Sequence, residues 1–189
     1  MTEAGENASA IHVRRARTAD VRVIRNLLDG YAARRILLSK ETVTLYEDIQ
    51  EFWVAETAGG RVVGCGALHV MWEDLAEVRT LAVDPEWRGR GVGHVLLQRL
   101  LGVARELGVE RVFCLTFEVD FFAQHGFEPV EGTPVPDDVY SQLLRSADEG
   151  VAEFLDLDRV KPNTLGNVRM LRRMSVPSQI RSHDAPQAN

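Results

Sequence analysis

The hydrophobic pattern divides the chain into short strands and amphipathic helices. Residues 11–17 alternate apolar and polar positions and predict a strand. Thr18 and Asp20 then offer N-cap oxygens to a helix in which Val23, Ile24, Leu27, Leu28 and Tyr31 recur at helical spacing, and Ser39 offers a cap to a second helix reaching about Gln50. Residues 52–57 and 62–70 are strand-like runs joined by Gly59-Gly60, which supplies the positive φ angles of a tight hairpin. Residues 75–83 make a third strand, stopped by Asp84-Pro85. After the glycines at 89, 91 and 93, Leu96, Leu97, Leu100, Leu101, Ala104 and Leu107 line one side of a helix, which Gly108 ends at its C′ position. A strand at 111–116, a short helix at 119–125 and a strand at 127–130 complete the order β-α-α-β-β-β-α-β-α-β. This is an α/β (α+β) arrangement, a mixed sheet with helices on its faces. Polar ends at 1–10 and 175–189 predict mobile tails on a domain spanning 11–174.

A length of 189 residues suits one domain, and 45% hydrophobic with 26% charged residues excludes wholesale disorder or a fibre. The net charge of −6 has the wrong sign for tracking a phosphate backbone, so no nucleic-acid partner is expected. The longest apolar-rich run, near 95–107, is interrupted by Gln98, Arg99, Arg105 and Glu106 and is too short to cross a bilayer. Residues 1–10 carry Glu3 and Glu6 and no apolar signal region, which predicts a cytoplasmic location. Cys65 and Cys114 stand far apart, without clustered histidines, and read as core residues; neither a metal site nor a disulfide is expected.

The stretch that carries chemistry runs from Leu81 through Asp84-Pro85 to Arg88-Gly89-Arg90-Gly91-Val92-Gly93. Glycines permit a tight loop whose N–H groups point inward, and the helix that follows adds partial positive charge, together a seat for a pyrophosphate. Arg88 and Arg90 reinforce it. Glycine clusters also serve plain strand-to-helix turns, so the run alone does not decide the matter. Its setting excludes two alternatives: it follows a hairpin rather than opening a first βα unit, and it lacks the Gly-Lys-Ser/Thr of a P-loop.

In this context Arg88, Gly91 and Gly93, with Asp84-Pro85 and Gly126-Phe127, resemble the GNAT N-acetyltransferase superfamily over about residues 11–131. Glu77 through Val83, Leu96-Leu97, Val112-Phe113, Leu115-Thr116, Phe121-Phe122 and His125-Gly126-Phe127 resemble the N-acetylglutamate synthases. Residues 51–66 and 153–170 are similar to their short, stand-alone form. The resemblance implies a GNAT fold with a mostly antiparallel sheet between two helical layers. It implies acetyl-CoA as co-substrate without a metal, and acetylation of the α-amine of L-glutamate at the first step of arginine biosynthesis. A homodimer is compatible with it. The alternatives are a GNAT enzyme for another amine, such as glutamine, an antibiotic or a protein N-terminus, and an acetyl-CoA-binding sensor without turnover.

By the same resemblance, backbone groups of Leu81, Ala82 and Val83 hold the pantetheine arm, and Arg88, Gly89, Arg90, Gly91, Val92 and Gly93 hold the pyrophosphate, with His94 able to donate to a phosphate from the helix start. Strand alternation puts Glu77, Arg79, Leu81 and Val83 on one face. An acidic residue at the offset of Glu77 is the candidate general base, needed because an amine at neutral pH is mostly ammonium. Lys40, Arg79 and Arg145-Ser146 are the candidate receptors for substrate carboxylates. Where many GNAT enzymes carry a tyrosine acid ahead of Gly-Phe, this chain has Phe121-Phe122, and the acid is unassigned.

Overall fold

The structure, a computed structural model, describes residues 11–32, 41–160 and 166–175. Its strands are β1 (His12–Arg15), β2 (Phe52–Glu56), β3 (Val62–Trp72), β4 (Leu75–Val83), β5 (Arg111–Thr116), β6 (Glu128–Pro129) and β7 (Val168–Arg173). Its α-helices are α1 (Val21–Ala32), α2 (Thr42–Glu47), α3 (Val92–Glu106), α4 (Val119–Ala123), α5 (Asp137–Leu143) and α6 (Glu149–Phe154). The strands form one seven-stranded sheet in the order β1-β2-β3-β4-β5-β7-β6, and every ladder is antiparallel except β4–β5. Among the described residues no helix is long and apolar enough to cross a membrane.

Both faces of the sheet are covered. On one, Leu96, Leu97, Leu100 and Leu101 of α3 are buried with Ala76, Val78, Val112 and Cys114 of the sheet; each such leucine contributes about 1.5–3 kcal/mol. Leu107 departs from the predicted stripe: it is the C-cap of α3 and is 57% exposed. Gly108 follows with φ 79°, the left-handed C′ geometry expected there. On the other face, α1 and α2 pack over Val54, Cys65, Ala67 and Ala82, while Val139, Leu143, Val151 and Phe154 of α5 and α6 cover Leu75, Phe113 and Leu171. Cys65 and Cys114 are free and buried; burial pushes the Cys65 thiol up to about 12 and the Cys114 thiol well above its ordinary value.

Three elements lie outside the pattern read from the sequence. β7 slots between β5 and β6 although three of its six residues are arginines: Arg169 lies over the Phe113 ring at 5.8 Å, and Arg172 donates to the His125 carbonyl. Long guanidinium side chains that lay their stems along a sheet hide the alternation that marks a strand. α5 and α6 have seven and six residues, too few for a helical period to stand out. α2 also differs from expectation, starting at Thr42 with Glu41 at its N-cap; Ser39 lies outside the described residues.

Two features of β4 build the site. It pairs with β5 only through Leu75↔Arg111, Ala76↔Val112 and Glu77↔Phe113, so beyond Glu77 the strands part and the β4 edge is open. Against β3 the register slips by one residue between Ala67↔Arg79 and Cys65↔Ala82, where Thr80 has φ 61°. This bulge inverts the alternation. Leu81 and Val83 pack on the α3 side, whereas Arg79 reaches Asp148 beside α6 on the other. The expectation that Glu77, Arg79, Leu81 and Val83 share one face is therefore corrected: the first two and the last two face opposite sides.

Candidate active site

The glycine-rich turn is pinned from both sides. Asp84 accepts from the Glu86 N–H at 3.0 Å and opens a 3₁₀ turn over Pro85–Trp87. Arg61 from the β2–β3 hairpin binds Asp84 at 2.8 Å and Glu86 at 3.0 Å. Trp87 is buried, and the Arg90 guanidinium lies over its ring at 4.8 Å. Gly91 is the N-cap of α3 with φ 79°, a conformation that side chains disfavour, and a Cβ there would meet nothing within 4 Å. The loop thus faces open space at the first turn of a 15-residue helix, whose leading N–H groups have no acceptor within the helix. A Cβ at Gly93 would lie 3.4 Å from the Phe121 ring and 3.8 Å from Val83, so glycine lets α3, α4 and the β4 edge meet closely. His94 turns its Nδ1 to His125 Nε2 at 2.7 Å, which leaves Nε2 as the His94 nitrogen able to serve a phosphate. Burial, then the neighbouring His94 and Arg172, lower the pKa of His125.

A different site lies where the strands part. Glu77, the last β4 residue paired with β5, is 3% exposed. Its Oε2 is 3.1 Å from Arg79 Nη2, and Asp148 grips Arg79 with two hydrogen bonds of 2.9 and 3.1 Å. Asp148 also caps α6 by accepting from the Val151 N–H at 3.0 Å. Burial opposes its charge, but the Arg79 hydrogen bonds and charge, with the Val151 N–H, hold it down at about 2. α6 presses on the Glu77 carboxylate: a Cβ at Gly150 would lie 2.2 Å from Glu77 Oε2. One turn further, Glu153 is buried, and burial followed by the charges of Glu77 and Glu149 pushes its carboxyl up to about 7. His69, opposite Glu77 in β3, joins Glu51 at 2.7 Å and places Nε2 4.0 Å from Asp148. The cluster is rich in carboxylates and able to attract an ammonium group and to hold a proton.

The remaining candidates scatter. The Arg145 guanidinium is exposed and donates to Gln142 at 3.2 Å, while Ser146 Oγ accepts from the Asp148 N–H at 3.1 Å. Lys40 lies outside the described residues. Arg88 is exposed, with its guanidinium 5.0 Å over the Tyr31 ring. Ala82 is buried against the α1 side, so only its backbone can serve a ligand. Sequence reasoning missed Asp148, Gly150, Glu153 and Tyr31. Asp148 carried a signal, an N-cap acid before the apolar positions Val151, Ala152 and Phe154, whereas nothing local marks Gly150 or Glu153 as partners of a residue more than seventy positions away.

A parted strand pair, a glycine-rich helix start and a buried carboxylate at the point of parting can seat an extended, phosphate-bearing ligand beside an acid–base group. Residues 24–127 match the sequence model of the acetyltransferase (GNAT) family, and the chain belongs to that family. Within it, the chain is 60% identical over 173 residues to the amino-acid acetyltransferase of Mycobacterium tuberculosis, covering 90% of this chain and 98% of that protein. The crystal structure of Rv2747 from Mycobacterium tuberculosis, in complex with CoA and NLQ, superposes with a TM-score of 0.84 over 87% of this chain and 99% of that one, at 60% identity. The N-acetylglutamate synthase of Neisseria gonorrhoeae, complexed with coenzyme A and N-acetyl-glutamate, shares the fold, with a TM-score of 0.70 at 24% identity. That match covers 88% of this chain and 36% of the gonococcal one.

Proposed function

We propose that this acetyl-CoA-dependent amino-acid N-acetyltransferase moves acetyl to the α-amine of L-glutamate by direct attack in a ternary complex, with Glu77 as general base. The observation that carries the reading is the position of Glu77, buried at the last paired residue before β4 and β5 separate. A thioester lying along the open edge would bring its carbonyl carbon close to that carboxylate. Glu77 takes a proton from the substrate ammonium, directly or through water, and the free amine attacks the carbonyl carbon. An N–H near the end of β4, on Leu81 to Val83, stabilises the oxyanion; the attacking nitrogen gives up its second proton to water, the C–S bond breaks, and the thiolate takes a proton from solvent. Arg88, Gly89, Arg90, Gly91, Val92, Gly93 and His94 hold the pyrophosphate end. The close amino-acid acetyltransferase relative supports the class of acceptor.

For the acceptor, Lys40, Arg79, Arg145 and Ser146 are the proposed carboxylate contacts. Arg79 is already held by Glu77 and Asp148, so a substrate carboxylate there has to exchange with Asp148. That same clamp favours a second reading, glutamine, whose side chain needs no cation. Thiol release from acetyl-CoA across the twenty amino acids, with the product identified by mass, tests both. Glutamate is expected to be fastest, glutamine slower, and lysine rejected by charge. If lysine or an aminoglycoside outperforms glutamate, the substrate assignment fails; if no amine releases thiol, the chain is a sensor rather than an enzyme.

A further inference from the structure

We propose that Tyr31 is a further residue of the acetyl-CoA site: its hydroxyl holds the open β4 edge at Val83 until the pantetheine arm takes its place. The orientation of that edge follows from the ladder. Val83 faces Gly64, and the Asp84 N–H donates to the Val63 carbonyl at 2.8 Å, so the N–H and C=O of Val83 itself point away from β3 into the gap beside β5. No β5 residue answers them, because that ladder ends at Glu77↔Phe113. A buried backbone pair left unmatched is costly.

Tyr31, in the last turn of α1, supplies both partners with one atom. Its hydroxyl donates to the Val83 carbonyl at 2.6 Å and accepts from the Val83 N–H at 3.2 Å. Arg88 Nε donates to the same oxygen at 3.3 Å, with the guanidinium 5.0 Å from the ring centre. A phenolic hydroxyl has one donor and two acceptor positions, and all three are used.

A secondary amide carries the same donor and acceptor that Val83 needs, so an amide of the pantetheine arm and the Tyr31 hydroxyl compete for one pair of backbone groups. The proposal rests on the reading that acetyl-CoA lies along this edge. Displacement has somewhere to go: a cavity of about 590 Å³ on the α1 side is lined by Val23, Leu27, Tyr31, Val62 and Pro85. Displacing the hydroxyl also frees Arg88 from Tyr31, beside the pyrophosphate seat. Arm binding and release of Arg88 are thereby linked through one side chain.

The test is calorimetric binding of acetyl-CoA and of 3′,5′-ADP, which has no pantetheine arm, to the wild type, Tyr31→Phe, Tyr31→Leu and Gly91→Val. Loss of the competing hydroxyl is expected to lower the acetyl-CoA Kd about 3- to 10-fold in Tyr31→Phe and in the same direction in Tyr31→Leu, while 3′,5′-ADP, which can profit only from the freed Arg88 and not from the freed Val83 pair, should gain no more than about 2-fold. The ligand-free variants should melt lower, because Val83 loses its partner, and acetyl-CoA should then raise the Tm more than in the wild type. An unchanged or weaker acetyl-CoA affinity in both Tyr31 variants overturns the proposal, as does an equal gain for both ligands. Gly91→Val keeps the two readings apart: if it fails to weaken acetyl-CoA, the cofactor placement falls, and the proposal with it.

Discussion

The two halves of the site are built in opposite ways. The glycine-rich turn is local: a strand end, three glycines and a helix start within about a dozen residues, braced by Trp87 and Arg61. The acid cluster is assembled at long range, with Glu51, His69, Glu77, Arg79, Asp148 and Glu153 arriving from the approach to β2, from β3 and β4, and from the two ends of α6. Binding a common cofactor calls for backbone geometry, which a short sequence can specify. Selecting and deprotonating an acceptor calls for charges set against one another in a dry space, which only the packing of distant elements provides.

If the halves are separable, glycine substitutions should break one and spare the other. Of the two glycines, Gly150→Ala should have the larger effect on turnover. Its Cβ would fall 2.2 Å from Glu77 Oε2, so the carboxylate must move, and misplacing a catalytic group by about 1 Å costs roughly 100-fold in kcat. Acetyl-CoA affinity, read by calorimetry, should stay at the wild-type value. Gly91→Val is the mirror experiment. It forces a β-branched residue to φ 79° and disturbs the N–H groups of the seat, which should weaken acetyl-CoA by about 10- to 100-fold. Glutamate-dependent turnover at saturating acetyl-CoA should be largely kept. If either variant damages both functions equally in a folded protein, the halves are not independent.

The same division decides what the sequence disclosed. β4 is Leu75–Val83 and β5 is Arg111–Thr116, the limits predicted from the apolar runs, because both strands are buried in the middle of the sheet and their patterns are set by burial alone. The glycine-rich turn into α3 was legible because Gly91, the N-cap at φ 79°, follows from backbone conformation. The orientation of Leu81 and Val83 was misread, since Thr80 at φ 61° looks like any other strand threonine until the register against β3 is known. Glu77 was legible as a carboxylate but not as a buried one; its 3% exposure comes from α6, whose glycine gives no sign in the sequence of what it touches.

Smaller effects sharpen the account of the acid cluster. Glu153 has a pKa of about 7 in the folded protein against an ordinary 4.5, so the folded state binds the extra proton. Its contribution to stability is fully present below about pH 4.5 and is lost as the pH rises to about 7. Glu153→Gln removes that loss, and above pH 7 the variant should be more stable than the wild type by on the order of 3 kcal/mol. Denaturant melts at pH 4.5 and pH 8 check the sign, which reverses if the carboxylate is stabilised rather than penalised. Arg145→Ala should matter least. An exposed guanidinium bound to Gln142 is worth at most about 1 kcal/mol, a rise in glutamate KM of up to roughly 5-fold, with kcat and acetyl-CoA affinity unchanged.

The central claim is that Glu77 draws the proton from the acceptor amine at the point where the strands part. The pH dependence of kcat for glutamate acetylation in the wild type and in Glu77→Gln, with the acetyl-CoA Kd measured in parallel, puts it to the test. The account predicts a fall in kcat of about 10²- to 10⁴-fold, an altered acidic limb and an acetyl-CoA Kd within about 2-fold of the wild type. A variant that keeps its rate and its acidic limb would remove Glu77 from the chemistry and contradict the account.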